Sequence, residues 1–181
     1  MVTLFGRVVI VILATLQPGN ERWTGRAEAP IDGDTLRVRD AAEKLHKVRI
    51  LGIDAPEEGQ PFAAAARDHL ARVTKDREVE VAEVGKDGAG LTVARVRMKG
   101  NDLALDMLAA GYAWYEKSAL DEPALAAEER KARAAAVGLW IDKDPVAPWE
   151  WRKAEAARRE ARRNRISKDT GPAAPQKPAG K

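Results

Sequence analysis

The chain of 181 residues contains no cysteine and only two histidines, His46 and His69. The absence of cysteine excludes disulfide bonds, thiolate metal sites and cysteine nucleophiles. The two histidines lack the spacing of metal ligands, which argues against a zinc hydrolase built on a histidine cluster. No apolar run reaches the roughly 18 to 20 residues that a membrane-spanning helix needs. Because 45% of the residues are hydrophobic, the chain can still bury a core, and its length fits one domain with appendages.

The net charge of +3 is spread unevenly along the chain. Residues 152–181 carry ten basic and three acidic residues, whereas residues 1–151 carry 21 basic and 25 acidic residues. The net charges of these two segments are therefore +7 and −4. We expect residues 153–181 to form a basic, proline-containing tail, which is either a solvated terminus or a contact for a polyanion or an anionic membrane surface.

The N-terminal residues have the layout of an export signal. Arg7 is followed by the apolar stretch 8–16 and then by the breaking sequence 17–20. One positive charge before a short apolar stretch is typical of a signal peptide, although residues 12–14 are a poor cleavage site. We therefore expect residues 1–22 to be a signal peptide or an N-terminal membrane anchor, and the protein to be exported (periplasmic or secreted) or anchored. A buried first strand is the structural alternative.

Apolar periodicity predicts several short strands with helices between and after them. Alternating residues predict strands over 35–39, 47–51, 78–82 and 91–97. In the first three strands the alternation places these apolar residues together on one face, which we expect to point inward: Leu36 and Val38, Val48 and Ile50, Val79 and Val81. Helices are predicted over 61–73, 101–110 and 123–137, and a charged helix over 150–165 lacks an apolar stripe that would hold it to the domain. This order favours a small, curled antiparallel sheet capped by helices, of which an OB-type barrel is the simplest form.

Two segments concentrate polar residues that can carry chemistry. Residues 32–35 (Asp-Gly-Asp-Thr) open one strand, and residues 54–57 (Asp-Ala-Pro-Glu) follow the strand that carries Arg49. Each segment taken alone is a turn, because Asp and Gly favour turns and Pro56 forces Ala55 into an extended conformation. Together, the two strands can deliver Asp34, Arg49, Asp54 and Glu57 to one end of a barrel.

Three carboxylates at a shared site need a further cation. Oxygen-rich ligation selects a hard ion, calcium or magnesium. An arginine beside such an ion makes a clamp for a phosphodiester. A carboxylate that the metal does not need can orient or deprotonate water.

The combined pattern resembles the thermonuclease family, the staphylococcal-nuclease-like domains. The family pattern of Asp-Gly-Asp-Thr, Arg and Asp-x-Pro-Glu matches residues 32–35, Arg49 and residues 54–57. The resemblance continues in Gln60-Pro61-Phe62, Gly111-Tyr112-Ala113-Trp114, Ala132-Arg133, Gly138-Leu139-Trp140 and Pro148-Trp149-Glu150 with Arg152. It covers residues 23–152 and implies an α+β, mainly β fold, a five-stranded OB barrel with about three helices.

The resemblance also implies a function and a set of site residues. The implied activity is calcium-dependent hydrolysis of phosphodiester bonds in DNA and/or RNA, leaving 3′-phosphates, by a monomeric endonuclease or exonuclease. Asp34 and Asp54 are expected to be carboxylate ligands of the calcium ion, with the backbone carbonyl of Ala55 as a third ligand. Glu57 is expected to be the general base or to position the water. Arg49 is expected to bind the phosphate and stabilise the transition state.

One departure from the family pattern concerns a second catalytic arginine. The sequence Val-Ala-Arg-Val at residues 93–96 fixes the register, and Leu91 then occupies the arginine position, with Ala89 in place of a preceding tyrosine. Arg95 lies four residues further along, about 13 Å of strand, which is too far to reach the same phosphate. Lys86 in the preceding loop is the candidate replacement for binding substrate. Loss of such a cation can cost about 10³ to 10⁵ in rate, by analogy with an arginine finger.

A second departure concerns the aromatic residues that stack on the nucleotide base, for which only Tyr115 is a match. Three outcomes stay open: a slow nuclease, a nuclease with a replacement cation, and a catalytically impaired OB-fold module that binds nucleic acid and metal. A structural protein-interaction module is a further alternative. The retained Asp34, Arg49, Asp54 and Glu57 argue against it.

Overall fold

The computed structural model describes residues 21–169, and their side chains through residue 166. The strands are β1 (Arg22–Ala27), β2 (Thr35–Asp40), β3 (Leu45–Ile50), β4 (Ile53–Asp54), β5 (Glu78–Lys86), β6 (Thr92–Met98), β7 (Asn101–Asp102) and β8 (Trp114–Tyr115). The helices are α1 (Ala63–Thr74), α2 (Leu103–Ala109), α3 (Pro123–Ala134), a 3₁₀ turn (Gly138–Ile141) and α4 (Pro148–Asp169). Of the predicted leader, residues 1–20 lie outside the described residues, and Arg22 already belongs to β1.

Five strands close into a barrel, which confirms the predicted OB-type fold. The order β3-β2-β1-β5-β6 is antiparallel throughout, and a parallel pairing of β3 with β6 closes the ring. In this register Arg49 of β3 lies opposite Thr35 of β2 on one side and opposite Val93 of β6 on the other. The closure therefore fixes Arg49 between the end of the 32–35 segment and the start of β6.

The barrel interior is built from the alternating apolar residues of its strands. Leu36, Val38, Val48, Ile50, Val79, Val81, Ala94 and Val96 are each at most 1% exposed. Full burial of one such aliphatic side chain is worth about 1.5–3 kcal/mol. The predicted inward faces of the strands are therefore correct, and their opposite faces are left free for polar residues such as Arg49.

The structure describes four α-helices, whereas about three were expected. The additional one is α4, the charged helix, and its body is exposed: Lys153, Arg158, Arg159 and most of their neighbours lie in solvent. The segment that leads into α4 is tied to the domain, because the Gln60 side-chain amide donates to the Val146 carbonyl at 2.6 Å. Across residues 21–169, no helix has both the length and the apolar character that a membrane span requires.

Two glycines hold the C-terminal segment against the rest of the fold. The Leu139 N–H donates to the Gly111 carbonyl at 2.8 Å, and both Gly111 and Gly138 have positive φ angles, 71° and 58°. A Cβ atom on Gly138 would lie 2.2 Å from the Gly111 carbonyl oxygen. This close approach places Trp140 on Trp114, with ring centroids 5.0 Å apart, and so positions the chain that leads into α4.

We expect Gly138→Ala to lower the free energy of unfolding by at least about 2 kcal/mol. The added Cβ must both adopt a left-handed backbone and displace a backbone oxygen, and overpacking alone typically costs about 1–3 kcal/mol. Urea denaturation measures the change. Gly88→Ala is the matched control, because a Cβ there meets nothing within 4 Å. Equal stability of the two variants would contradict the proposed close packing.

Candidate active site

A polar cleft of about 580 Å³ opens at the end of the barrel where β2 begins. Its walls come from the loop before β2, from Arg49, from residues 55–59, from the first turns of α1 and from the turn before β6. The sequence-predicted residues Asp34, Arg49, Ala55 and Glu57 all line this cleft. Asp54 lies directly behind it, 1% exposed.

The loop that carries Asp34 is fixed by its own hydrogen bonds. The Asp34 N–H donates to the Asp32 carboxylate at 3.0 Å, and the Asp34 carbonyl accepts from the Ile50 N–H at 2.8 Å. A Cβ on Gly33 would lie 2.7 Å from the Cβ atoms of Ala55 and Ala66. The Asp-Gly-Asp sequence is therefore required here because the loop packs directly against residue 55 and helix α1.

The carboxylate of Asp34 is buried and short of positive charge. It accepts hydrogen bonds from the Thr35 hydroxyl at 2.8 Å and from the Ala55 N–H at 3.0 Å. Burial, with a further contribution from Asp32, raises the pKa of Asp34 to about 7, although Arg49 and the two hydrogen bonds act in the opposite direction. A cation beside this carboxylate would favour its charged form.

Arg49 lies among three carboxylates. Its Nη2 is 3.4 Å from Asp54 Oδ1, 3.9 Å from Asp34 Oδ2 and 3.9 Å from Glu116 Oε2. Burial acts to lower the pKa of Arg49, but Asp34, Asp54 and Glu116 outweigh it and the pKa is raised. Arg49 thus stays charged at the edge of the cleft, where an anionic substrate would meet it.

Asp54 is held by a second guanidinium, that of Arg152 in α4. Strand β4 pairs with β8 and places Asp54 opposite Trp114. Arg152 binds Asp54 with both of its terminal nitrogens, Nη1 to Oδ1 at 3.0 Å and Nη2 to Oδ2 at 2.8 Å. Arg152 Nη1 also binds the carboxylate of Glu57. The hydrogen bonds to Asp54 and Glu57 raise the pKa of Arg152 above its ordinary value.

Gln60 fixes the loop that carries Glu57. Its side-chain oxygen accepts from the Glu57 N–H at 3.0 Å, and its own N–H donates to the Glu57 carbonyl at 2.9 Å. Since the Gln60 amide nitrogen also binds the carbonyl of Val146, one buried side chain connects the Glu57 loop to the start of α4.

The donor set fits a hard divalent cation. Within residues 21–169, no three histidine, aspartate, glutamate or cysteine side chains converge as a ready-made metal centre. The structure instead offers two aspartates, Asp34 and Asp54, each within 3.9 Å of the same Arg49 nitrogen. Carboxylate oxygens completed by carbonyl groups and water suit calcium, which accepts irregular oxygen shells. The Ala55 carbonyl role stays a prediction, while the Ala55 N–H is already bound to Asp34.

The turn before β6 presents apolar side chains to the cleft. Leu91 and Ala89 line it, and the Asp87 carboxylate holds the turn by accepting from the N–H groups of both residues at 2.9 Å. Lys86 instead directs its amino group to the Thr92 hydroxyl at 3.4 Å. These positions give no support to Lys86 as a phosphate contact, and its role stays a prediction.

Two other polar residues have partners elsewhere in the fold. Arg95 forms ion pairs with Asp102 and Glu122, which agrees with the expectation that it does not reach the site. The Tyr115 hydroxyl donates to the Leu120 carbonyl at 2.7 Å and accepts from the Glu122 N–H at 2.9 Å. Both partners of this hydroxyl are backbone groups, so they do not support the predicted stacking of Tyr115 on a nucleotide base, which stays a prediction.

Sequence reasoning gave no site role to three charged residues. Arg152 and Glu116 reach the site through tertiary contacts, and the Arg152–Asp54 pair is separated by 98 positions. No local sequence pattern predicts an ion pair between residues so far apart in the chain. Arg67 lines the cleft from α1. The sequence could have indicated this position, because Arg67 lies one helical turn after Ala63 on the same face of the helix. Ala66 and Leu70 face the core instead.

Comparison with known proteins agrees with this geometry. Residues 47–142, more than half of the chain, match the family described as "Staphylococcal nuclease homologue". An "Uncharacterized endonuclease" of Haemophilus influenzae is 34% identical over 135 residues, covering 75% of this chain and 76% of that protein. The "Micrococcal nuclease" of Shigella flexneri is 34% identical over 155 residues, covering 80% and 88% of the two chains. The fold, the cleft and these matches show that the chain belongs to the staphylococcal nuclease homologue family.

Proposed function

We propose that this protein is a calcium-dependent nuclease that hydrolyses phosphodiester bonds in DNA and/or RNA. Family membership supports hydrolysis of nucleic acid. The observation that carries the proposal is the placement of Asp34 and Asp54 within 3.9 Å of one Arg49 nitrogen, with Glu57 on the same cleft. A cation ligand pair, a phosphate-binding group and a proton acceptor are thus next to one another.

Each residue has a distinct task in this proposal. Asp34 and Asp54 would hold the calcium ion, with the Ala55 carbonyl as a further ligand, and the bound ion would supply positive charge to the phosphate. Arg49 donates to a non-bridging phosphate oxygen and opposes the charge that develops there. Glu57 accepts a proton from the attacking water, whose oxygen forms the new bond to phosphorus as the P–O5′ bond breaks. The departing O5′ takes a proton from solvent water, so that the products carry a 3′-phosphate and a 5′-hydroxyl.

A catalytically impaired module that binds metal and nucleic acid is the second candidate. The observation that favours it is the apolar wall of Leu91 and Ala89, at a place in the cleft where the family pattern has an arginine and a tyrosine. In this case calcium and nucleic acid would bind with slow turnover or none.

The cellular setting is part of the proposal. We propose that residues 1–22 direct export or anchor the protein, on the basis of Arg7 and the apolar stretch that follows it. We also propose that it acts as a monomer, and that its basic tail contacts a polyanion or an anionic membrane surface.

Asp34→Asn is expected to abolish both calcium binding and calcium-dependent digestion. The substitution keeps the shape of the side chain but removes a ligand charge. Calorimetric titration of the wild type should show one calcium site. The variant should bind calcium at least about 100-fold more weakly, because loss of a group that merely supports a metal ligand already lowers metal affinity by about 10- to 100-fold. Digestion of single-stranded DNA, with and without chelator, measures the activity.

The control for this experiment is Asp121→Asn. Asp121 pairs with Lys117 on the surface, away from the cleft. Its substitution by asparagine removes the same charge as Asp34→Asn does. Wild-type digestion that resists chelator, or an Asp34→Asn variant with unchanged calcium affinity, would contradict the proposed metal site. Calcium binding without digestion would instead favour the impaired module.

Deletion of residues 153–181 is expected to weaken binding to long DNA and to flatten its salt dependence. The basic residues of α4 from Lys153 to Arg165 are exposed, and each phosphate contact that they make releases counterions. Filter or fluorescence binding over a range of salt concentrations measures the slope. Deletion of residues 170–181 alone, which removes two lysines, should change the slope less. Equal slopes for the full chain and the longer deletion would exclude this role for the tail.

A further inference from the structure

Among the described residues, Arg152 is the one cation that binds both Asp54 and Glu57. Its guanidinium binds both oxygens of Asp54 and one oxygen of Glu57. The Arg152 side chain is 44% exposed, whereas that of Asp54 is 1% exposed. The guanidinium therefore lies between a buried carboxylate and open solvent. It is bound to Glu57, which lines both the cleft and the neighbouring cavity that Arg152 itself lines.

The contacts of Arg152 and those of a calcium ion overlap at Asp54. Arg152 uses both carboxylate oxygens of this residue. A calcium ion ligated by Asp54 would take at least one of them and would lower the negative charge that holds the guanidinium. Since the Arg152 nitrogens would then lack part of their present partner, they would be available for another oxyanion close by.

The start of α4 is anchored independently of this ion pair. Gln60 binds the Val146 carbonyl, and Ala147 packs against the cluster that contains Trp114 and Trp140. The helix can therefore keep Arg152 at the site after the contact with Asp54 is broken, and only the side chain has to turn.

The other cations near the cleft are less suited to a phosphate at Glu57. Arg95 is engaged with Asp102 and Glu122, and Lys86 with Thr92. Arg67 lies on the rim formed by α1, half exposed and 3.5 Å from Asp68. Arg49 and Arg152, in contrast, both touch Asp54.

We propose that Arg152 is a second catalytic guanidinium: when calcium engages Asp54, Arg152 donates to a non-bridging oxygen of the phosphodiester held by Arg49. This rests on the proposed nuclease function. Two guanidinium groups, those of Arg49 and Arg152, then oppose the charge that develops on the phosphate. Arg152 would thus replace the second arginine that the family pattern has at position 91, where this chain has leucine. The helix that carries the basic tail thereby becomes part of the active site.

The first test compares Arg152→Gln, Arg152→Lys and the control Arg130→Gln. Arg130 is an exposed arginine of α3 that belongs neither to the cleft lining nor to the basic tail. Arg152→Gln should bind calcium at least about threefold more tightly, because a competitor for Asp54 is lost, yet cleave a short single-stranded DNA about 100-fold more slowly, the typical effect of removing one transition-state donor. Arg152→Lys, which keeps the charge but not the planar fork, should lose at least about tenfold in rate. Arg130→Gln should retain both properties.

The second test measures binding without turnover. In a Glu57→Gln background, and with calcium present, Arg152→Gln should bind the oligonucleotide about tenfold more weakly than Arg130→Gln does. Circular dichroism and the calcium titration confirm that each variant is folded. This binding measurement decides the matter even if the wild type turns over slowly.

Three results would overturn the inference. An Arg152→Lys protein with the wild-type rate would show that the guanidinium has no special role. Equal oligonucleotide affinity of the Arg152→Gln and Arg130→Gln proteins would exclude a phosphate contact. A faster Arg152→Gln protein would make Arg152 an inhibitory latch. Failure of the nuclease function itself is distinguishable, because it shows in the wild type and in Asp34→Asn, where Arg152 is unchanged.

Discussion

The buried carboxylate of Asp54 is the constraint around which the site is arranged. An isolated charge that is 1% exposed is costly, and the structure meets this cost with two guanidinium groups, Arg49 from β3 and Arg152 from α4. The ion pairs connect the barrel, strand β4 and the C-terminal helix at a single point. Removal of either arginine would leave part of that charge uncompensated, whereas a bound cation would compensate for it.

The barrel supplies the rigidity that these charges need. The parallel pairing of β3 with β6 fixes Arg49, and the pairing of β4 with β8 fixes Asp54 opposite Trp114. Gly33 allows the Asp34 loop to contact Ala55 and α1 without a gap. The side chains to which the proposed function assigns an ion and a phosphate are thus carried by strand ends and tight loops, where a rigid scaffold holds functional groups in place.

The sequence predicted the parts of this architecture that depend on local pattern. Alternation in Leu36 and Val38, and again in Val48 and Ile50, identified the inward faces of the barrel strands, because a strand buries every second residue. The resemblance to a family placed Asp34 and Glu57 on one cleft, and the structure agrees.

The contacts that the sequence did not predict are long-range. Helix α4 lacks an apolar stripe, so nothing in its pattern shows that Arg152 docks on Asp54 while the rest of the helix stays exposed. The approach of Glu116 to Arg49, and the use of the Tyr115 hydroxyl by backbone groups, likewise depend on how β8 packs. A local motif specifies which residues can do chemistry, but tertiary packing decides which partners they have.

The most direct test of this account is a crystal structure of the full chain grown with calcium, with the ion located by its anomalous scattering. The account predicts a single ion in contact with Asp34 and Asp54, at about 2.3–2.6 Å from their oxygens. It also predicts that Arg152 no longer holds both oxygens of Asp54 and that its guanidinium faces the cleft. An ion bound elsewhere, with the Arg152–Asp54 pair unchanged, would contradict it.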